Sequence, residues 1–194
     1  METHNIETIP ASLDDIPGIL EVQRVNLISL EQNRAEELER LGKRGFLIHA
    51  LGEGELAGMV NDKNDNIIFV ARDNADVCGY ALAYNLEKWK KLNPEWRNTI
   101  EIFKNVVCEF NKNRILYLRH IARKPGFDRC GSKLMKVLAS AAREKAYEAI
   151  VAEILQKPVA NKASTEFHEY HGFSVIGSEK EGENMVWGLF LKKI

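Results

Sequence analysis

The chain has 194 residues, which is enough for one domain with a sizeable core and short for two. Its hydrophobic fraction of 45% and charged fraction of 28% are ordinary for a water-soluble globular protein, and a net charge of −1 argues against a dedicated nucleic-acid or anionic-membrane surface. No apolar run approaches the roughly 20 residues that cross a bilayer. We therefore expect a single domain over Met1–Ile194 in the cytoplasm, with no nucleic-acid or membrane partner.

The N-terminal segment alternates strand and helix patterns. Ser12, with Asp15 three residues later, forms a helix start that resembles a capping box, and Gly42 is a typical helix stop. The predicted elements are a strand at 3–10, a helix after Ser12, a second helix at 34–41, a short strand at 45–50 and a helical turn at 53–60.

A β-hairpin comes next. Apolar runs at 67–72 and 77–84 flank the turn-forming residues 73–76, which is a good hairpin signal. A helical insertion is predicted at 85–113, where aromatic and aliphatic residues recur on one helix face, namely Trp96, Ile100, Phe103, Val107 and Phe110. The sequence leaves open whether this insertion caps a site or makes a homodimer contact.

The C-terminal half contains a strand–helix–strand unit. The predicted elements are a strand at 115–122, a loop at 123–131, helices at 132–147 and 161–171, and strands at 149–154, 173–176 and 185–192. Antiparallel strands early and late, with one βαβ unit between them, indicate an α+β fold whose mixed sheet is covered by helices on both faces. The strand that runs through a short loop into a helix start aims unpaired amides at one spot, which favours phosphate binding.

Two interpretations of the loop compete. Gly126 and Gly131 have the spacing of a nucleotide-binding P-loop, but Ser132 precedes Lys133, and a P-loop needs the lysine directly after the second glycine. The loop therefore comes close to the pattern of a P-loop phosphotransferase but does not match it. The second interpretation depends on Gly131, a small residue that is followed three residues later by Leu134.

This second pattern resembles the GCN5-related N-acetyltransferase (GNAT) family. Members of the family have a Q/R-x-x-G-x-G/A loop with a leucine three residues beyond its last small residue, and Gly131 and Leu134 match these last two positions. A downstream motif of the family, N-x-x-A-x-x-x-Y-x-x-x-G-F, is matched in spacing by Asn161, Ser164, His168, Gly172 and Phe173. The resemblance implies a twisted, mostly antiparallel sheet of six or seven strands, with a splay between the fourth and fifth strands.

The resemblance also implies acetyl-CoA as cosubstrate and no metal. The pantetheine arm would enter the splay and bond the backbone of His120, Ile121 and Ala122 as an added half-strand. The pyrophosphate would rest on amides at the helix start. The implied cofactor-binding residues outside the strand are Gly126, Phe127, Asp128, Arg129, Cys130, Gly131, Ser132 and Asn161. The three scattered cysteines give no zinc or disulfide pattern.

For catalysis, the resemblance implies direct attack of a primary amine, from a small molecule or a peptide, on the thioester. His168 occupies the tyrosine position that protonates the departing thiolate; the alternative is a surface helix histidine. His120 is the first candidate for the base that deprotonates the amine and Glu153 the second, although either can be a buried strand residue with satisfied hydrogen bonds. The alternative function is a non-catalytic acyl-CoA-binding or sensor domain with the same fold.

Overall fold

A computed structural model of the protein describes residues 5–30, 35–92, 110 and 112–194. The strands are β1 (Ile6–Pro10), β2 (Asn66–Asp73), β3 (Asp76–Asn85), β4 (Ile115–Arg123), β5 (Ala149–Lys157), β6 (Ser174–Glu181) and β7 (Met185–Lys193). The helices are α1 (Ile16–Asn26), α2 (Ala35–Arg44), α3 (Glu53–Asn61), α4 (Leu86–Leu92), α5 (Cys130–Glu144) and α6 (Lys162–Tyr170).

The seven strands form one sheet in the order β1-β2-β3-β4-β5-β7-β6. Every neighbouring pair of these strands is antiparallel except β4 and β5, which are parallel. The predicted fold class is confirmed, because the sheet is mixed, mostly antiparallel and built around one βαβ unit. In the part of the chain that the structure describes, no helix is long and apolar enough to span a bilayer.

Helices cover both faces of the sheet, as predicted. On one face α1 and α3 contribute Ile19 and Leu56, which pack with Tyr80 of β3 in a single cluster. On the other face α5 contributes Leu138, which packs with Ile150 of β5. All five side chains are buried, and burying each large apolar side chain stabilises the fold by about 1.5–3 kcal/mol.

The start of α1 confirms the predicted cap. The Asp15 carboxylate accepts hydrogen bonds from the backbone N–H and the hydroxyl of Ser12, at 2.9 and 2.8 Å. Its other oxygen accepts from the Arg72 guanidinium of β2 at 2.6 Å. Asp15 is almost completely buried. One carboxylate therefore starts the helix and joins it to the sheet.

The second helix and the following strand differ from the prediction. Helix α2 continues through Gly42 to Arg44, and the left-handed residue that follows it is Gly45, with φ of +87°. A Cβ at Gly42 would collide with the backbone carbonyl oxygen of Ala160, so this glycine serves close packing and not a helix stop. The predicted strand at 45–50 is reduced to an isolated bridge between Leu27 and Leu47.

The predicted insertion lies mostly outside the described residues. Residues 86–92 are helical, as α4. Trp96, Ile100, Phe103 and Val107 are not among the residues that the structure describes. Phe110 is described, and it packs against the core on the α1 face, with the Lys193 ammonium 5.4 Å from its ring centroid.

The parallel strands β4 and β5 separate soon after they begin. Their pairing covers three positions, which end at Tyr117 opposite Val151. Beyond that point β4 stays on β3 as far as Arg123, and β5 stays on β7 as far as Lys157. The predicted splay is therefore confirmed, and it leaves the edge of β4 that faces β5 without a strand partner.

Candidate active site

A cavity of about 330 Å³ occupies the wedge between the two strands. Its walls are β4, β5, the irregular segment 46–49, the start of α6 and the β6–β7 hairpin. The polar and aromatic side chains that line it, and on which its chemistry depends, are Tyr117, Arg119, His120, Glu153, His168 and Trp187. The three residues predicted to be catalytic thus line one cavity.

A second cavity of about 200 Å³ continues the first toward the start of α5. The two cavities share lining residues from 46–47, β4 and α6, namely Phe46, Leu47, Ile121, Asn161 and Ser164. The second cavity also reaches Ala122, Asp128 and Gly131. The two cavities therefore form one groove, which runs from the predicted phosphate loop to Glu153.

Glu153 is held at the inner end of the groove by a tyrosine. Its Oε2 accepts a hydrogen bond from the Tyr117 hydroxyl at 2.6 Å, while Oε1 is buried without a partner in the described part of the molecule. Burial raises the pKa of Glu153 to about 7, against the lowering effect of the Tyr117 hydrogen bond. A carboxylate near half-ionisation, with one free oxygen, suits proton transfer near neutral pH.

His120 is less suited to this role. The ring is buried, and its Nδ1 lies 2.9 Å from the Tyr80 hydroxyl. Burial, assisted by the Arg119 and His49 charges, lowers the pKa of His120 to about 3. The imidazole therefore stays neutral at ordinary pH and is a weak proton acceptor, so the pKa values favour Glu153 over His120 as the candidate base.

His168 is not a surface residue. It is 3% exposed and packs edge-on against the Phe173 ring at a centroid distance of 4.9 Å. Its Nδ1 donates to the Ser164 carbonyl oxygen at 2.7 Å, which leaves the lone pair of the neutral ring on Nε2. Burial lowers the pKa of His168 to about 4. In the resting site the ring is therefore neutral, and its Nε2 is a hydrogen-bond acceptor.

The end of the groove that is predicted to bind phosphates is formed by the start of α5. The amides of Gly131 and Ser132 donate to no backbone carbonyl of the described residues, whereas the Cys130 amide donates to the Phe127 carbonyl oxygen at 3.0 Å. Gly126 takes φ of +91° to make the turn. Free first-turn amides, together with the helix dipole, favour an anion.

The charged side chains at this end are mixed in sign. Arg44 and Arg123 line the second cavity, and so does Asp128, which pairs with Arg123 at 2.8 Å. Arg129 stands at the N-cap of α5 and is exposed. The pairing with Arg123 reduces the repulsion that Asp128 would exert on a phosphate.

Cys130 is buried beside Cys78. The hydrogen bond with Cys78, together with burial, raises the pKa of the Cys130 thiol. A buried, protonated thiol is a poor nucleophile. Cys130 therefore contributes packing at the helix start and offers no route to a covalent acyl intermediate.

Asn161 joins two walls of the groove. Its side-chain amide donates to the Phe46 carbonyl oxygen at 3.0 Å, and its carbonyl accepts from the Ser164 amide at the start of α6. Both ends of the buried carboxamide are thus engaged within the protein. The residue fixes the shape of the wall to which a cofactor would bind.

Several residues that line the groove were missed by sequence reasoning. Arg119 is a bulged residue, because His120 pairs with Leu82 while Leu118 pairs with Ala83. The adjacent polar residues Arg119 and His120, inside an otherwise apolar strand, were the available signal for this bulge. His49 and Trp187 stack at a centroid distance of 6.4 Å, from segments without any motif.

No group of His, Cys, Asp or Glu residues that could hold a metal ion occurs in the described ranges. His168 and His171 lie one turn apart, but they do not form such a site. Tyr170, which is 82% exposed, points away from the groove.

No protein-family model matches the chain, and no curated protein matches it by sequence. Solved structures do match. They include the PaiA N-acetyltransferase of Thermoplasma acidophilum in complex with coenzyme A, at a TM-score of 0.63 and 14% identity over 98% of this chain and 99% of that one. A GNAT-family acetyltransferase of Streptococcus pneumoniae matches at 0.60 and 18% over 98% and 100%.

The ribosomal-protein-S18-alanine N-acetyltransferase of Escherichia coli is also similar, at a TM-score of 0.62 and 11% identity over 97% of this chain and 94% of that one. At these identities the likeness establishes the fold. The chain has the fold of the GNAT-family N-acetyltransferases, over nearly its whole length.

Proposed function

We propose that the protein is an N-acetyltransferase that moves the acetyl group of acetyl-CoA to a primary amine by direct attack. One observation carries the proposal: a continuous groove joins free helix-start amides to a buried carboxylate through the gap between β4 and β5. Phosphates suit the first end, an extended pantetheine suits the unpaired strand edge, and amine chemistry suits the second end.

Glu153 is the proposed base. An amine such as that of lysine has a pKa near 10.4 and arrives as an ammonium ion, so it must lose a proton before it can attack. Glu153 supplies a free oxygen, and its pKa near 7 makes a substantial ionised fraction available at neutral pH. We assign His120 a positioning role, because it bonds Tyr80 and so holds the β4 backbone in place. The unpaired N–H groups of β4 would stabilise the oxyanion.

His168 is the proposed relay for the second proton. After attack, the nitrogen carries a proton that must leave, and the sulfur needs one to depart as a thiol. The lone pair on Nε2 can take the first and return it to the sulfur, since negative charge that develops on a neighbouring thiolate raises the pKa of an imidazole. The Ser164 carbonyl holds the ring in the required tautomer.

The test combines binding and transfer. Calorimetry measures CoA affinity, and single-turnover reactions with acetyl-CoA and a panel of amines measure release of the CoA thiol together with the mass of the acetylated product. We expect transfer to at least one amine class, and Glu153→Gln should slow transfer while CoA still binds. Tight CoA binding with no transfer to any amine would favour the sensor function, and an absence of CoA binding would reject both functions.

A further inference from the structure

The cavity contains a guanidinium that the proposed reaction does not use. Arg119 projects from the β4 bulge into the cavity, beside Tyr117, Glu153 and the ring of His49. Its charge acts on all of these groups, because it contributes to their pKa shifts. The guanidinium therefore lies where an acceptor would be held, opposite the entry of the cosubstrate.

Arg119 has no carboxylate within ion-pair distance in the described part of the chain, although other arginines there are paired in this way, such as Arg72, Arg114 and Arg123. Burial lowers the pKa of Arg119, but the neighbouring Tyr117 and Tyr84 raise it, and the net pKa is raised. A half-buried guanidinium without a counterion is costly, and its five donors in a planar fork match a carboxylate.

Glu153 does not supply that counterion. Its Oε2 is engaged by Tyr117, and burial keeps the carboxyl partly protonated near neutral pH. Tyr117 is thus close to both groups, since it donates to Glu153 and contributes to the pKa of Arg119. A carboxylate bound by Arg119 would therefore lie close to an amine that faces Glu153, so the site suits a molecule that carries both groups close together.

We propose that the acceptor is an amine that carries a carboxylate next to the reacting nitrogen, as in an α-amino acid, and that Arg119 binds this carboxylate. The inference rests on the proposed function and names the substrate class of the same site. With the carboxylate on Arg119, the amine faces the free oxygen of Glu153. The side chain of the acceptor then extends toward Trp187 and His49, and the cavity of about 330 Å³ fits a molecule of this size.

The test compares acceptors that differ in the carboxylate alone. Leucine and phenylalanine are each compared with their carboxamide and with the amine that lacks the carboxylate, and transfer from acetyl-CoA gives kcat/KM for each. In the wild type we expect the acid to exceed the carboxamide on the order of 10- to 100-fold. Equal or better use of the carboxamide or of the decarboxylated amine would overturn the proposal.

Variants locate the effect. Arg119→Gln should raise KM for the acid and bring the acid-to-carboxamide ratio close to one, while Arg119→Lys should keep part of the preference through its charge. Arg114→Gln is the matched control, because Arg114 immediately precedes β4, lies outside the cavity and pairs with Glu148. A ratio that Arg119→Gln leaves unchanged, in a variant that folds, contradicts the proposal. If that variant does not fold, Arg119→Lys decides by the same ratio.

Binding separates this inference from the proposed function. Should the wild type acetylate no amine, calorimetry with leucine and leucinamide in the presence of CoA still gives an answer. Tighter binding of leucine that Arg119→Gln or Arg119→Lys weakens supports a carboxylate site in a protein without transferase activity. Equal binding of the two probes rejects the site.

Discussion

Gly131 of α5 faces the ring of Phe167 of α6, and a Cβ placed on this glycine would lie 3.1 Å from Cε2 of the ring. The contact packs the start of α5 against the middle of α6, at the end of the groove that is proposed to bind phosphates. A side chain at this position would push α5 and α6 apart, just where the free amides of Gly131 and Ser132 are aimed.

The first prediction follows from this contact. Gly131→Val should weaken CoA binding by about tenfold, which is about 1.4 kcal/mol, and lower the free energy of unfolding by about 1–3 kcal/mol without loss of the fold. Calorimetry and denaturant unfolding measure the two effects. Gly58→Val is the control, because a Cβ at Gly58 meets nothing within 4 Å. Unchanged CoA affinity in Gly131→Val would show that the phosphates bind elsewhere.

The second prediction concerns the pH dependence of transfer. Burial raises the pKa of Glu153 to about 7, so the carboxyl is protonated and inactive as a base below that pH. We expect kcat/KM to rise tenfold per pH unit below about pH 7 and to level off above it. Glu153→Gln should reduce kcat roughly 100-fold or more and remove this limb. The exposed Glu183→Gln is the control, and a pH profile that Glu153→Gln leaves intact would assign the base to another group.

The third prediction separates the two nitrogens of His168. His168→Asn keeps a donor for the Ser164 carbonyl but has nothing at the Nε2 position, whereas His168→Phe removes both. Because the relay needs Nε2, both variants should lower kcat by at least about tenfold and leave the KM for acetyl-CoA within about threefold. Full activity in His168→Asn would mean that the histidine acts through Nδ1 and packing alone.

Sequence reasoning located the elements with local signals and missed those set by tertiary contacts. The turn at Asn74, which has φ of +58°, and the apolar runs around it identified β2 and β3 correctly. Gly42 was misinterpreted, since its role depends on Ala160, which is more than a hundred residues away in the sequence. The segment 46–49 lines the site without regular structure, so no helical or strand periodicity of the sequence predicts its position.

The splay between β4 and β5 and the choice between the two candidate bases also depend on tertiary contacts and not on local sequence signals. Separation of β4 from β5 after Tyr117 followed from the family resemblance, since no local pattern in either strand marks where pairing ends. His120 ranked above Glu153 because an unperturbed imidazole titrates nearer to neutrality than a carboxylate. Burial acts in opposite directions on the pKa values of the two groups, and burial is not readable from residue type.

The fourth prediction tests the carboxylate that joins α1 to the sheet. Asp15→Asn would leave the Arg72 guanidinium without its partner and weaken the bonds from Ser12. Breaking a buried pair by removing one charge is strongly destabilising, so we expect a loss of about 3 kcal/mol in the free energy of unfolding. Asp14→Asn, on an exposed neighbour in the same turn, should change it by less than about 0.5 kcal/mol. Similar losses in the two variants would mean that the helix dipole, and not the Arg72 pair, is the source.

The fifth prediction concerns stability in acid. The folded state keeps His120 neutral down to about pH 3, whereas in the unfolded chain it takes up a proton near pH 6.5. Between these values the unfolded state binds the extra proton, so the free energy of unfolding falls as the pH falls, by about 1.4 kcal/mol per pH unit for this histidine. Glu153 acts in the opposite direction between about pH 7 and 4.5, since its pKa is raised by folding. His120→Gln removes the contribution of His120 to this pH dependence and retains that of Glu153.

Urea unfolding at a series of pH values from 6.5 to 4 therefore compares two slopes. The wild type should lose stability more steeply on acidification than His120→Gln, whatever the difference between their stabilities at pH 7. His171→Gln is a suitable control, because that histidine is only partly buried and its pKa is lowered less by burial. Parallel slopes for the wild type and His120→Gln would show that the imidazole takes up its proton in the fold, which would return His120 to the list of candidate bases.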